Sequence, residues 1–141
     1  MGRILAIDYG SKRVGLAVTD NLRMIACGLM TIHSKDLIAF LEDYFKKEVV
    51  DEIVVGEPKT LKNVKSDSAR FIDPFVRHLE KKFPEKKIVR YDERFTSALA
   101  HQTMLMGGVK KKDRQNKATV DVISAIIILQ DYMSFLESSR R

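Results

Sequence analysis

Cysteine is almost absent. Cys27 is the one thiol in 141 residues, so no internal disulfide can form and a reducing compartment is expected. Lying in an apolar segment, Cys27 reads as a small core residue, not a nucleophile. Long apolar runs are also missing. The longest, residues 125–129, is far short of the ~20 residues that a membrane-spanning helix needs. The first residues lack the charged-then-apolar pattern and small-residue cleavage site of a secretory signal. Ala6 stands where a myristoylation motif requires Ser or Thr. These absences predict a cytoplasmic protein with no membrane partner. Histidine is scarce, and His33, His78 and His101 have no metal-ligand spacing, which points them to the surface. There are no repeats, low-complexity segments or linkers, so a single domain over residues 1–141 is expected. Without heptads or a long apolar surface stripe, the oligomeric state is not readable.

What is present is an ordinary globular composition, 45% hydrophobic and 31% charged, with a net charge of +6. Basic balance of this size favours anionic partners such as nucleic acid, although solubility alone can account for it.

The most informative stretch is residues 4–18. A short apolar run ends on Asp8, followed by Gly10, Lys12, Arg13 and Gly15, and a second apolar run occupies 14–18. Two strands around a tight glycine-containing turn make a hairpin. Its tip carries an acid, two cations and a backbone open enough for a phosphate to approach. A carboxylate directly after a core strand is costly to bury alone, so Asp8 is solvated, ion-paired or metal-bound.

Further along, residues 24–32 read as a third strand and Ser34 as the N-cap of a helix carrying Leu37, Ile38, Leu41, Tyr44 and Phe45 at helical spacing. Residues 52–56 form a buried strand and 59–67 a lysine-rich loop. Ala69, Ile72, Val76, Leu79 and Phe83 share a helical face over 66–83. There Pro74 either kinks the helix or follows Asp73 at a fresh start. Residues 87–91 form a fifth strand, ending on Asp92-Glu93-Arg94. Thr96 caps a helix to Met106, stopped by Gly107-Gly108, and a basic connection over 109–117 leads into a helix at 118–136. The order predicts an α/β fold with a five-stranded mixed sheet flanked by helices. Its first three strands form an antiparallel meander, and the next two can run parallel to the first.

Asp121 interrupts the apolar helix 118–136, with small Ser124 and Ala125 beside it on the helix surface. Two readings stand: an exposed first-turn Asp favoured by the helix dipole, or a site residue with space left for a ligand or another backbone. The composition of this helix predicts burial on more than one side. Asp8, one acid of the pair Asp92-Glu93, and Asp121 can converge at the carboxyl edge of the parallel strands, where open α/β sheets place ligands. Converging carboxylates repel unless a cation lies between them, and oxygen-only ligands suit Mg²⁺ or Mn²⁺. Basic residues adjoin each acid: Lys12 and Arg13 after Asp8, Arg94 after Glu93, and Lys110, Lys111, Lys112, Arg114 and Lys117 before Asp121.

These residues fall into four motifs: Asp8-x-Gly10-x-Lys12-Arg13-x-Gly15-Leu16-Ala17, Val55-Gly56-x-Pro58, Asp92-Glu93-Arg94-x-Thr96-Ser97, and Lys117-x-x-x-Asp121 followed by Ile128-Leu129-Gln130. In this order, across essentially the whole chain, they resemble the YqgF (RuvX) family of small RNase H-like proteins. The resemblance implies an RNase H-like fold and metal-dependent phosphodiester hydrolysis. It places Asp8, Glu93 and Asp121 at the acidic catalytic and metal positions, and Lys12, Arg13, Arg94 and Lys117 at nucleic-acid-binding positions. The implied substrate is structured RNA, the 5′ end of the pre-16S rRNA, or alternatively a four-way DNA (Holliday) junction. Glu57 departs from the apolar residue usual before Pro58, and the wording after Pro58 also differs. Asp92 and Glu57 therefore remain possible metal ligands beside Glu93. Two rivals stand: an actin-like kinase or ATPase, which needs a second domain to close on its nucleotide, and a ribosome-assembly factor that binds RNA without turnover.

Overall fold

The computed structural model describes residues 2–10, 12–57, 69–92 and 117–139. Strands β1 (Arg3–Tyr9), β2 (Arg13–Thr19) and β3 (Ala26–His33) come first. A 3₁₀ turn (Ser34–Asp36) leads into helix α1 (Leu37–Lys47), followed by strand β4 (Val50–Glu57). Helix α2 (Ala69–Lys82), strand β5 (Lys87–Asp92) and a long helix, α3 (Lys117–Ser139), complete the described elements. The strands form one sheet in the order β3-β2-β1-β4-β5. β1, β2 and β3 pair antiparallel, whereas β4 pairs parallel with both β1 and β5. The expected meander and mixed sheet are present, so the carboxyl ends of β1, β4 and β5 share one edge.

Strand alternation gives the sheet two apolar faces. Leu5, Ile7, Leu16, Val18, Ile53 and Val55 pack with Leu37 and Leu41 of α1 and Ile72, Val76 and Leu79 of α2. Ile4, Ala6, Ala17 and Val54 pack with Ala125, Ile128, Leu129 and Tyr132 of α3. Each fully buried Leu or Ile contributes about 1.5–3 kcal/mol relative to exposure, so these two layers hold the helices to the sheet. On α3 the buried residues follow one stripe from Ser124 to Tyr132, while Val122, Ile123, Ile126 and Ile127 are half-buried. Among the described residues, full burial of α3 thus follows one stripe, with partial burial continuing on its other faces. Ser124 and Ala125 are small because the sheet lies directly against them.

Two local expectations change, and one pair of alternatives is decided. Ser34 does not cap α1: it opens the 3₁₀ turn, and the N-cap position of α1 is Asp36. The cap of the 3₁₀ turn is instead His33, whose Nδ1 accepts from the Lys35 N–H at 3.2 Å. Cys27 is exposed, not in the core. β3 is an edge strand, and its covering helix α3 lies on the opposite face, where Val122 and Ile126 crowd Gly28. Pro74 lies inside the continuous helix α2 on an exposed position, so the helix does not restart at Asp73. The 59–67 loop, the 96–106 helix with its glycine stop, and most of the basic 109–117 connection lie outside the described residues.

Candidate active site

The turn that joins β1 to β2 is drawn tight by its backbone. Gly10 N–H donates to the Arg13 carbonyl at 3.0 Å. A Cβ on Gly10 would stand 2.6 Å from that same oxygen, so only glycine fits. The bond from Ser34 to the Lys12 carbonyl ties the tip to the end of β3, leaving the Lys12 side chain exposed. Beneath the turn, Tyr9 stacks on Phe75 of α2 with ring centroids 4.1 Å apart, and burial pushes its phenol pKa up. The end of β1 is thereby fixed.

Asp8 continues the row Ile4–Ala6 on the α3 face and pairs across the strands with Gly15. A Cβ on Gly15 would run into the backbone carbonyl of Asp121 and stand 3.0 Å from the Asp121 Cβ. Paired residues on one face of a sheet have Cβ atoms about 5 Å apart, so those of Asp8 and Asp121 lie within roughly 8 Å of each other. Two acids from opposite ends of the chain thus meet over one glycine. Asp121 is not the exposed first-turn residue of the simpler reading. Its side chain is 19% exposed, and its Oδ2 accepts from Arg13 Nε at 2.8 Å, with Arg13 45% exposed.

The other predicted site residues are placed less completely. Glu57 and Asp92 are register partners at the ends of β4 and β5. Strand alternation sets both positions in the row of Val55 and Arg90, not in the row of Val54 and Tyr91 that shares the α3 face with Asp8. Lys117 is the first residue of α3. Glu93 and Arg94 lie outside the described residues. Among the described residues no three His, Cys, Asp or Glu side chains gather as a metal site. Among the described residues Asp8 and Asp121 are the two predicted acids brought near one another, over Gly15, and carboxylate oxygens are donors of the kind that Mg²⁺ or Mn²⁺ accepts.

The hairpin tip was expected to leave backbone open to a phosphate, and Gly15 had no separate role. In the structure Gly15 gives clearance to the α3 backbone, a role its position signals: glycine inside an otherwise apolar strand marks close approach of another chain segment. The ion pair between Arg13 and Asp121 was not foreseen, since nothing local connects residues 108 positions apart. The family described as RuvX, Holliday junction resolvase, matches residues 2–135. The chain belongs to the RuvX family. A relative from Bacteroides thetaiotaomicron is 56% identical over 140 residues, covering 99% of this chain and 99% of the other. One from Phocaeicola vulgatus is 58% identical over 133 residues, covering 94% and 96%. One from Flavobacterium johnsoniae is 55% identical over 134 residues, covering 95% and 97%. All three carry the name "Putative pre-16S rRNA nuclease". Membership in the RuvX family gives the RNase H-like fold, and the mixed sheet with its leading antiparallel meander agrees with it.

Proposed function

We propose that this RuvX-family chain is a nuclease that uses Mg²⁺ or Mn²⁺ to hydrolyse phosphodiester bonds, with the 5′ end of pre-16S rRNA as its substrate. The observation that carries the proposal is the meeting of Asp8 and Asp121 over Gly15, with Arg13 at the same point. The names of the relatives support the substrate. The family description, Holliday junction resolvase, makes a four-way DNA junction the alternative.

Asp8 from a core strand and Asp121 from a helix packed on that strand are held by rigid elements. They would hold the cation together with a third acid. Glu93 is our choice for that third ligand, because Asp92 and Glu57 occupy strand positions of the opposite row. When bound, the metal supplies a water of lowered pKa and charge stabilisation at the phosphate. Lys12, exposed at the hairpin tip, and Arg13 offer cationic contacts that orient the phosphodiester, and Arg94 and Lys117 extend them along the backbone. Such contacts are sequence-independent, so substrate shape carries selectivity.

The test is side-by-side cleavage of a pre-16S rRNA fragment and a four-way DNA junction in Mg²⁺ or Mn²⁺, with Asp8→Asn as control. The wild type should cut the RNA, and Asp8→Asn should bind it without cutting. Normal cleavage by Asp8→Asn refutes the site. Preferential cutting of the junction refutes the RNA substrate. RNA binding by the wild type with no cleavage in either metal would make the chain a non-catalytic assembly factor.

A further inference from the structure

The ion pair at Asp121 differs in where it sits from the other arginine–carboxylate contacts among the described residues, such as Arg3 with Glu48 at 3.3 Å. Arg90 Nη2 meets Asp73 Oδ1 at 2.6 Å and ties β5 to α2, and Arg23 meets Asp51 at 3.3 Å beside the start of β1. Arg13 instead holds an acid of the candidate metal site, at 2.8 Å through Nε. We propose that Arg13 is the resident counter-ion of Asp121, that it yields this place when a divalent cation binds, and that its guanidinium then engages a substrate phosphate. The proposal rests on the reading of Asp8 and Asp121 as metal ligands.

Arginine does not lose its proton in proteins, so its charge at Asp121 is permanent. Bound there, it offsets the negative charge of the Asp121 carboxylate. A divalent cation on Asp121 would face a fixed positive charge within a few ångströms, and the two compete for one carboxylate. Only the side chain has to move. The Arg13 backbone is fixed by the Gly10 N–H and by pairing with His33, whereas the side chain is 45% exposed and, among the described residues, its guanidinium bonds to Asp121 alone. The planar fork it frees matches a phosphate bidentately. Cation and nucleic acid would then bind with positive coupling, each favouring the arginine position that the other needs.

The test needs no nuclease activity. In the wild-type chain, the ¹⁵N-edited NMR signal of the Arg13 Nε–H, hydrogen-bonded without metal, should move on Mg²⁺ titration to the position it takes in Asp121→Asn. In calorimetric titration with Mn²⁺, Arg13→Met should bind about fivefold tighter than wild type, the upper range for an exposed ion pair. Arg13→Lys, which keeps the charge without the fork, should stay within about twofold of wild type. An Nε–H signal unmoved by saturating Mg²⁺, or Mn²⁺ affinity equal or weaker in Arg13→Met, overturns the exchange and makes Arg13 a positioning residue for Asp121. If Asp8→Asn and Asp121→Asn also leave Mn²⁺ affinity unchanged, the metal site itself fails. If they weaken it, the site stands and only the exchange falls.

Discussion

Two of the carboxylates at the seam between helix α3 and the sheet, Asp121 and Glu52, are held in opposite ways. Near the start of α3, Asp121 brings an acid to the carboxyl edge, partly open to solvent and opposed by a half-exposed arginine. Eleven residues later Tyr132, 3% exposed, donates its hydroxyl to Glu52 Oε2 at 2.5 Å, and Glu52 is itself 8% exposed. The second acid is closed off, and its partner is a rigid ring whose movement would empty part of the core. The first has a partner on a flexible stem that can swing into water. A carboxylate with a replaceable partner can take part in chemistry, whereas one locked to a buried hydroxyl holds two elements together.

The comparison breaks most sharply at Asp121→Asn. Cleavage should fall about a thousandfold or more, the several kcal/mol that a lost metal contact represents in the transition state. Stability measured by urea melts should change by less than about 1 kcal/mol, the scale of a partly exposed ion pair. A large loss of stability would mean that Asp121 is as structural as Glu52. Next comes Gly15→Ala. Its methyl group would meet the α3 backbone, not a side chain that can turn away. Unfolding free energy should drop by about 3 kcal/mol, the upper range for overpacking, and cleavage should drop with it as Asp121 is displaced from Asp8. An unchanged melt together with full activity would show that α3 does not need its close seat on β2.

Much of this was legible in the residues, for physical reasons that differ by element. The sheet could be read because its strands are short apolar runs broken by turn residues, and the tightness of the first two connections forbids parallel pairing. Asp8 and Asp121 could be nominated because each interrupts a segment whose other residues are buried. Their approach was expected from the shared carboxyl edge of the parallel strands, but the contact that brings it about could not be read locally, because Gly15 admits the α3 backbone from over a hundred positions away. Cys27 misled because an apolar neighbourhood in sequence does not reveal an edge strand, and Ser34 because a strand-end histidine took the capping role. Tyr132 carried no signal at all: a tyrosine in an apolar helix reads the same whether or not its hydroxyl finds a buried acid.

At the closed end, Tyr132→Phe removes one oxygen and leaves Glu52 without its donor inside the fold. Loss of a hydrogen bond to a buried charged group costs about 2 kcal/mol, so the melting midpoint should fall while cleavage and Mn²⁺ affinity stay at wild-type values. A fall in activity at full occupancy of the folded state would show that the two ends of α3 are coupled.

The same residue gives the smallest effect, at alkaline pH. Burial first, and then the hydrogen bond to the Glu52 carboxylate, hold the Tyr132 phenol pKa well above its ordinary value near 10. The folded chain therefore keeps this proton more tightly than the unfolded chain does. Its contribution is complete below about pH 10 and declines as the pH rises past the unfolded value, because the unfolded state ionises first. Burial raises Tyr9 and Tyr44 in the same direction, so alkaline destabilisation alone does not single out Tyr132. The difference does: between pH 9 and 11 the stability of wild type should fall more steeply than that of Tyr132→Phe, bringing the two curves together. Parallel curves would mean that the Tyr132 proton is not held by the fold, and that the buried end of α3 is as open to exchange as the end that carries Asp121.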